Sequence, residues 1–544
     1  MVRVAVVQFA TGPDVEANLA TVLRMLEQAR GAELVVLPEF CNHPSWYDDD
    51  AHAWDVALDL DGPFVKAVGS AAVDLGAWVM LNATVRREPG RITDTNVLLD
   101  SAGSVVATSD KQVLMGGERQ HISEGMEPSP IIDTPFGRVG LYSCMDGVIF
   151  ETPRMLAVRG AQVLLNSLNS FALDEASLHV PVRAAENRVW VVAANKVGPL
   201  LPEAVRENVA AQLGIDPAWL EGAGESQVVA PDGTVVAIAP RYGEAVVFAD
   251  VDAAAADDKR RPDGTDVMAS RRPSSYGPIA QEPRGVSRTP GPETVDVAIA
   301  RGLEHLAEAL ATGAQLVVLP ELPQTTAGRT EDPETLADTA DAHLAALSAA
   351  AGSTIVVTSV VRRIRGAFAH VAVAVAGAGV LCEQVALHPS ARHPWATVLA
   401  DEVTIVETTL GRLALLVGDD GIYPEAARLC ALVEAEVVAL PFTVLEDWEL
   451  RTGLVERAAE NRLNLVAAAR EGGAVLAAQQ DFTLWTPWQR PFDGTINYPV
   501  VTTSAASVVV ASVHPAATAN RFVSRGTDVV DGRPWRLASA LTEG

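Results

Sequence analysis

Cysteine is scarce in this sequence: four in 544 residues (Cys41, Cys144, Cys382 and Cys430), with no CxxC pair. A disulfide framework is not expected, and a reduced, cytoplasmic setting is. The ten histidines form no cluster at zinc spacing, so neither a metal nor another cofactor is expected. P-loop and GxGxxG phosphate cradles are missing as well. Positive charge is short, with 41 Lys and Arg against 69 Asp and Glu and a net charge of −28. That excludes nucleic acid and an anionic membrane surface as expected partners. Long apolar runs are lacking too. The stretch at 501–513, VTTSAASVVVASV, carries polar residues and falls short of a bilayer span. The opening MVRVAVVQFA has one early Arg and no small-residue cleavage site, so it reads as a buried strand rather than a secretion signal. Lysine is as rare as cysteine: Lys66, Lys111, Lys196 and Lys259.

What the chain does have is a normal globular composition, 49% hydrophobic and 20% charged. Its length implies two domains rather than one core. It also repeats itself. GAELVVLPE (31–39) returns as GAQLVVLPE (313–321), and RAAENR (183–188) returns as RAAENR (457–462). Between these anchors, MDGVIFETPR (145–154) corresponds to DDGIYPEAAR (419–428). The order is kept and the spacing differs by only about eight residues, which is the mark of a duplicated domain. Residues 252–295, rich in Asp, Pro, Ser, Gly and Arg, suit a surface linker or an extended tail that packs without regular structure. The expected division is 1–275, a linker at 276–290, and 291–544.

Within the first copy, Val-rich runs alternate with helical spacing. VRVAVVQF (2–9), LVVLPE, WVMLNATV (78–85), NVLLD (96–100), SVVAT (104–108), RVGLYSC (138–144), AQVLLN (161–166) and VWVVAA read as strands. Residues 14–30, 150–159 and 176–188 read as helices, and the Gly/Asp turns at 101–103 and 231–233 as hairpins. The class is α/β. The stretch 198–224 looks like an added helical element over a pocket.

Three residues of the first copy stand at strand ends, where α/β proteins present functional groups: Glu39, Lys111 and Cys144. Singly each has an ordinary explanation, as a solvated acid, a surface amine or a buried thiol. Together they do not, because with four lysines in the chain a chance Lys at one chosen position has a probability of roughly one in a hundred. PEF (38–40), the Lys of DKQV, Glu118 of GGERQ, the Cys of YSCMDG and RAAEN resemble the nitrilase superfamily in order and spacing. The resemblance covers residues 1–275, with a weaker copy over about 290–515.

It implies two αββα sandwich domains in tandem, packed as an internal pseudo-dimer, with a Glu39–Lys111–Cys144 triad and Glu118 beside the lysine. The chemistry needs those types. A neutral thiol is a poor nucleophile, with a pKa near 8.5, so a neighbouring carboxylate must take its proton. The lysine and the backbone N–H of Met145 would hold the oxyanion. Trp46 and Tyr47, in the loop after Glu39, are candidate pocket residues. Met145-Asp146-Gly147 after the cysteine is more like the amide-cleaving branches than the nitrile-cleaving ones. A small amide is therefore the expected substrate, with nitrile hydrolysis and acyl transfer to an amine as alternatives. His179, Arg183, Glu186 and Asp146 read as structural, since three of the four recur in the second copy. That copy keeps Glu321 but aligns Gly418 with Cys144, and EQVALHP (383–389) places Leu387 or His388 nearest Lys111, so it is expected to be inactive. The helices at 150–159 and 423–434 would form the seam between copies through Phe150, Met155, Leu156 and Val158 facing Ala427, Leu429, Leu432 and Val433. Further self-association of the whole chain is left open.

Overall fold

The structure is a computed structural model that describes residues 1–478 and 493–543. Each copy holds two six-stranded sheets. In the first copy one sheet runs Ala245–Val251, Val2–Gln8, Leu34–Val36, Trp78–Glu88, Arg91–Leu99, Val105–Asp110. The other runs Val235–Ile238, Gln227–Val229, Trp190–Ala194, Val163–Ser167, Gly137–Ser143, Ile131–Thr134. The central strands of both pair in parallel, Val4 beside Leu34 and Val139 beside Val163. Such strands are covered on both faces, which explains their near-continuous valine, leucine and isoleucine.

The two sheets face each other through Val4, Val6, Leu34, Val36, Met80, Leu141, Val163 and Val192, all buried in one cluster. The outer face of the first sheet takes the helices Val15–Gln28 and Pro63–Leu75. The outer face of the second takes Glu151–Val158 and Val180–Asn187. The first of these helices starts where Asp14 accepts the N–H groups of Glu16 and Ala17 (2.9 and 3.1 Å), as an N-cap does. The result is an αββα sandwich. The second copy repeats it with sheets Gly379–Val385 through Val508–Val513 and Ile405–Thr408 through Val500–Thr503. No described helix is long and apolar enough to cross a membrane.

The copies pack through the helices that follow the Cys144 and Gly418 positions, and the contacts are reciprocal. Arg154 pairs with Glu425 (2.9 Å) and its counterpart Arg428 with Glu151 (2.8 Å). Arg183 pairs with Glu460 (2.8 Å) and its counterpart Arg457 with Glu186. All eight side chains are buried. A patch that meets its own duplicate in this way is an internal two-fold interface.

The apolar seam expected from helical spacing is thus only part of the interface. Phe150, Met155 and Leu429 do share a buried cluster with Tyr276, Ile279, Ala538 and Leu541, but Leu156 turns to its own sheet. Charge forms the middle. His179 joins it through Glu456 of the second copy (2.9 Å).

The polar stretch after residue 252 packs rather than floating. Arg261 reaches Asp419 (2.9 Å) and Glu449 (2.6 Å), Arg271 reaches Glu425 (2.9 Å), and the Tyr276 hydroxyl meets His388 (2.6 Å). Its charges look like a linker in composition because they are spent on buried partners of the other copy. The chain's end returns as well: Thr527 bonds to residues 114 and 116 of the first copy.

Candidate active site

Each predicted residue owes its position to a local break in a strand. After Leu34–Val36 the chain meets Pro38, which cannot donate to the ladder, and leaves the sheet. Glu39 N–H then bonds to Leu168 O (3.1 Å), and Phe40, at φ 56°, donates its N–H to Asn82 Oδ1 (2.7 Å), which turns the Glu39 carboxylate inward. Lys111 follows Val105–Asp110 and is held by its N–H on Asp94 O (2.9 Å). Cys144 follows Gly137–Ser143 at φ 44°, ψ −106°, a costly conformation for a residue with a Cβ and one that persists where the surroundings enforce it. Its N–H is fixed by Ser167 O (2.9 Å) and Asn166 Oδ1 (3.1 Å). Met145 begins the next helix, where an N–H has no partner within its own helix.

Asp146 does more than cap. Its Oδ1 accepts the N–H groups of Gln112 (3.0 Å) and Val113 (2.8 Å), so it ties the Lys111 loop to the Cys144 turn.

The structure brings Glu39, Lys111 and Glu118 together in a dry site. Lys111 Nζ lies 2.7 Å from Glu39 Oε1, 2.9 Å from Glu118 Oε2 and 3.7 Å from Asp94 Oδ2, with all four side chains buried. Burial alone would push the ammonium down, but Glu118 and then Glu39 outweigh it and hold Lys111 well above the usual lysine range. Burial pushes Glu39 well up, against the pull of Lys111 and helped by Asp94. Burial, then the negative Glu39, pushes the Cys144 thiol well up, with Lys111 opposing. Glu39 Oε2 has no hydrogen-bond partner among the described residues. The resting arrangement is therefore a protonated thiol, a fixed ammonium and a carboxyl group whose affinity for protons is raised.

Sequence reasoning missed several neighbours. Asp94 is the third acid around Lys111, and Asn82 Nδ2 orients it (2.7 Å) while also reaching Ser143 Oγ (3.2 Å). A signal existed: Thr93, Asp94, Thr95 and Asn96 run consecutively through a strand buried on both faces, where apolar residues belong. Glu175 was also missed. It sits on a π-turn, bears electrostatically on both Lys111 and Cys144, and is pushed up to about 7 by burial, with His179 opposing.

Tyr47 is buried in a cluster with Phe40, Ile92, Leu114 and Ile122, and its hydroxyl feels Asp94, Glu118 and Glu39. Trp46 lies at the surface, 38% exposed. The helix Glu203–Leu213 packs on Met115 and Phe171 beside the Glu118 loop.

The second copy rebuilds the same pocket with other groups. Gly418 (φ 56°) stands at the Cys144 turn, and Asp420 accepts the N–H groups of Leu387 (3.1 Å) and His388 (3.0 Å) as Asp146 accepts those of Gln112 and Val113. That register places Ala386 at the lysine position, one residue before the expected Leu387. His370 replaces Asp94, because Ala386 N–H bonds to His370 O (2.9 Å) as Lys111 N–H bonds to Asp94 O. The cation comes from elsewhere: Arg392 reaches Glu321 (2.5 Å) and Asp419 (2.8 Å). Arg392 and then His393 outweigh burial and hold the Glu321 carboxyl far below the usual range.

The chain matches the family model described as carbon-nitrogen hydrolase twice, over residues 3–261 and 287–486. A nitrilase of Pyrococcus abyssi is 25% identical over 282 residues, covering 51% of this chain and 99% of that protein. The human deaminated glutathione amidase is 30% identical over 295 residues, covering 50% of this chain and 83% of its own. Among solved structures, an amidase from Nesterenkonia sp. is 25% identical with a TM-score of 0.38, covering 48% of this chain and 93% of that one. Each relative accounts for about one copy. This chain belongs to the carbon–nitrogen hydrolase family, as a tandem duplication of its domain.

Proposed function

We propose that the first copy, residues 1–275, hydrolyses a non-peptide C–N bond of a small amide through a Cys144 thioester, and that residues 291–544 are a partner without catalytic activity. One observation carries the reading: an ammonium held at 2.7 Å from Glu39 and 2.9 Å from Glu118, in the same pocket as a cysteine on a strained turn. Similarity to amidases, the human deaminated glutathione amidase and a frog omega-amidase among them, supports amide hydrolysis, and the relatives named nitrilase put nitriles in the same test.

Sγ of Cys144 attacks the amide carbon as its proton passes to Glu39. A base with raised proton affinity suits a thiol that is itself raised, and such a base contributes about 10²–10⁴ in rate. The oxyanion is held by the Lys111 ammonium and the Met145 N–H, each such donor worth about 10²–10³. Glu118 and Asp94 fix Lys111. The C–N bond breaks as Glu39 returns the proton to the departing ammonia or amine, which leaves a thioester. Water then attacks that carbonyl, again giving its proton to Glu39. The carboxylic acid departs, and the Glu39 proton restores the thiol. Tyr47 would border the acyl group.

The test is ammonia release from a panel of short amides and nitriles, with and without hydroxylamine as acceptor. Release from amides, with a trapped acyl-enzyme mass on Cys144, is the expected result. Turnover of nitriles alone, or hydroxamate formation with no hydrolysis, would replace this reading.

A further inference from the structure

The pocket of the second copy has lost its lysine and its thiol but not its polarity. Glu321 Oε1 lies 2.8 Å from His393 Nε2 and 3.7 Å from His370 Nδ1, and all three residues are buried. One donor atom from each falls within 4.8 Å of the other two. In a tetrahedral zinc site with bonds near 2.0–2.1 Å, donors sit about 3.3 Å apart. The two contacts to Glu321 straddle that value. We propose that this pocket binds one divalent transition-metal ion, Zn²⁺ foremost, on Glu321, His370 and His393.

Four further features support it. First, the site occupies the place of a cation in the other copy: Ala386 stands where Lys111 does, and His370 where Asp94 does. Second, a side chain at Gly418 would meet Glu321 Oε1 at 2.6 Å, so losing the cysteine is what gives the carboxylate its room. Third, Ser359 Oγ lies 3.2 Å from His370 Nε2, which fixes the ring and leaves Nδ1 toward Glu321, as outer partners of metal-ligating histidines do. The indole of Trp395 packs against both imidazoles, 5.2 Å from His393 and 6.1 Å from His370.

The fourth is charge. Arg261 contacts Asp419, Glu449 and Asp263, and Arg392 contacts Glu321, Asp419 and Asp263. Four buried or nearly buried carboxylates share two guanidiniums, an excess of two negative charges that one divalent ion balances. Arg392 binds chiefly Glu321 Oε2, which Thr443 Oγ1 also reaches (2.5 Å). Its second nitrogen also donates to Oε1, at the longer distance of 3.3 Å, so Oε1 is shared between that guanidinium and the imidazoles. Two imidazoles and one carboxylate with no thiolate suit Zn²⁺ and its neighbours in the first transition row rather than Ca²⁺ or Mg²⁺. The ion would tie the loop carrying Arg392 and His393 to the sheet.

The test uses the full chain, stripped with a chelator and dialysed. Zn²⁺ titration followed by desalting and elemental analysis should give one equivalent, and Co²⁺ should give visible d–d bands of the same stoichiometry. His370→Ala and His393→Gln should each keep less than about a tenth of the bound ion. His52→Ala, in the first copy where that ring meets His43 edge-on at 5.2 Å, should keep it all. Circular dichroism confirms folding of each variant. If a His370 variant misfolds, the wild-type stoichiometry and the His393 variant still decide. Absence of a retained ion in the wild type, or retention unchanged in His393→Gln, would overturn the proposal in favour of a metal-free His393–Glu321 ion pair.

Discussion

The two halves share an architecture almost strand for strand, yet they handle one buried acid in opposite ways. In the first, Glu39 faces a lysine, keeps one oxygen without a partner among the described residues, and has its proton affinity raised. In the second, Glu321 is bound by Arg392, His393 and Thr443, and Arg392 and His393 hold its carboxyl far below the usual range. The same residue on the same turn thus has its proton affinity raised in one pocket and lowered in the other. A carboxylate is a useful base only when its surroundings leave it incompletely stabilised. What separates the copies is therefore less the loss of a cysteine than the replacement of a poised acid by one whose two oxygens are already partnered.

The sharpest way to break the comparison is at its centre. Cys144→Ala should lower amide turnover by at least about 10⁴-fold, since removing a nucleophile costs nearly as much as removing the whole unit. An iodoacetamide mass label should appear on Cys144 first among the four thiols. Glu39→Gln and Lys111→Ala should follow, with losses of about 10²–10⁴ in kcat. Retention of activity within tenfold in any of the three would place the chemistry elsewhere.

The seam between halves gives the next effect. Among the described residues, Arg154→Ala leaves Glu425 buried with Arg271 as its remaining salt-bridge partner, and Arg428→Ala removes the salt-bridge partner of Glu151 in the mirror position. Breaking a buried pair costs about 3–5 kcal/mol. Both variants should show a matching fall in denaturant midpoint. A large loss in one and none in the other would mean that the pseudo-symmetry of the contacts is not one of energy.

How much of this was legible beforehand divides along physical lines. The α/β class and the strands follow from local patterns, and Glu39, Lys111 and Cys144 stand out at strand ends with a rare lysine among them, whereas Glu118 comes only through the resemblance to the nitrilase superfamily. Asp94 and Asn82 were not found because their importance lies in pairing across strands, which linear spacing does not report. The position of Ala386 slipped by one residue because a motif without its lysine has no anchor, and the register appears only through the bonds to Asp420. Helical spacing at the seam signalled apolar residues, whereas the partners of Arg154 and Arg183 lie more than 250 residues away in sequence. Composition reads 252–295 as either a surface linker or a tail that packs without regular structure, because buried and solvated arginines look alike in a sequence. Glu321, His370 and His393 converge from three separate segments, so no motif announces them.

The second copy's tail sharpens the comparison further, because it touches the first copy's site. Thr527 Oγ1 accepts the Gly116 N–H (2.9 Å) and donates to Leu114 O (3.0 Å), on the short loop that carries Glu118. Thr527→Val keeps the shape and removes the hydroxyl, leaving a half-buried N–H and a buried carbonyl unpaired at a cost of about 1–3 kcal/mol. Glu118 should then hold Lys111 less firmly. We expect kcat to fall about tenfold with KM little changed, as for a misplaced positioning group. An unchanged kcat would mean that the tail supports folding alone.

The smallest expected effect on turnover is the most informative, because it repeats one operation in both pockets. Lys111 and Arg392 are the two cations facing the two homologous acids, at 2.7 and 2.5 Å. Lys111→Ala removes the charge that would meet the oxyanion. Arg392→Ala removes a charge whose salt-bridge partners among the described residues are Glu321, Asp419 and Asp263. The first should abolish most amide turnover. The second should leave turnover within about twofold at 25 °C while lowering the midpoint of unfolding, since three carboxylates lose a cationic partner. Measured together on the same amide, kcat and unfolding midpoint assign each cation its role. If Arg392→Ala lowered kcat more than tenfold with the midpoint unchanged, the second pocket would be contributing to chemistry rather than to structure, and the contrast between a poised acid and a satisfied one would fail.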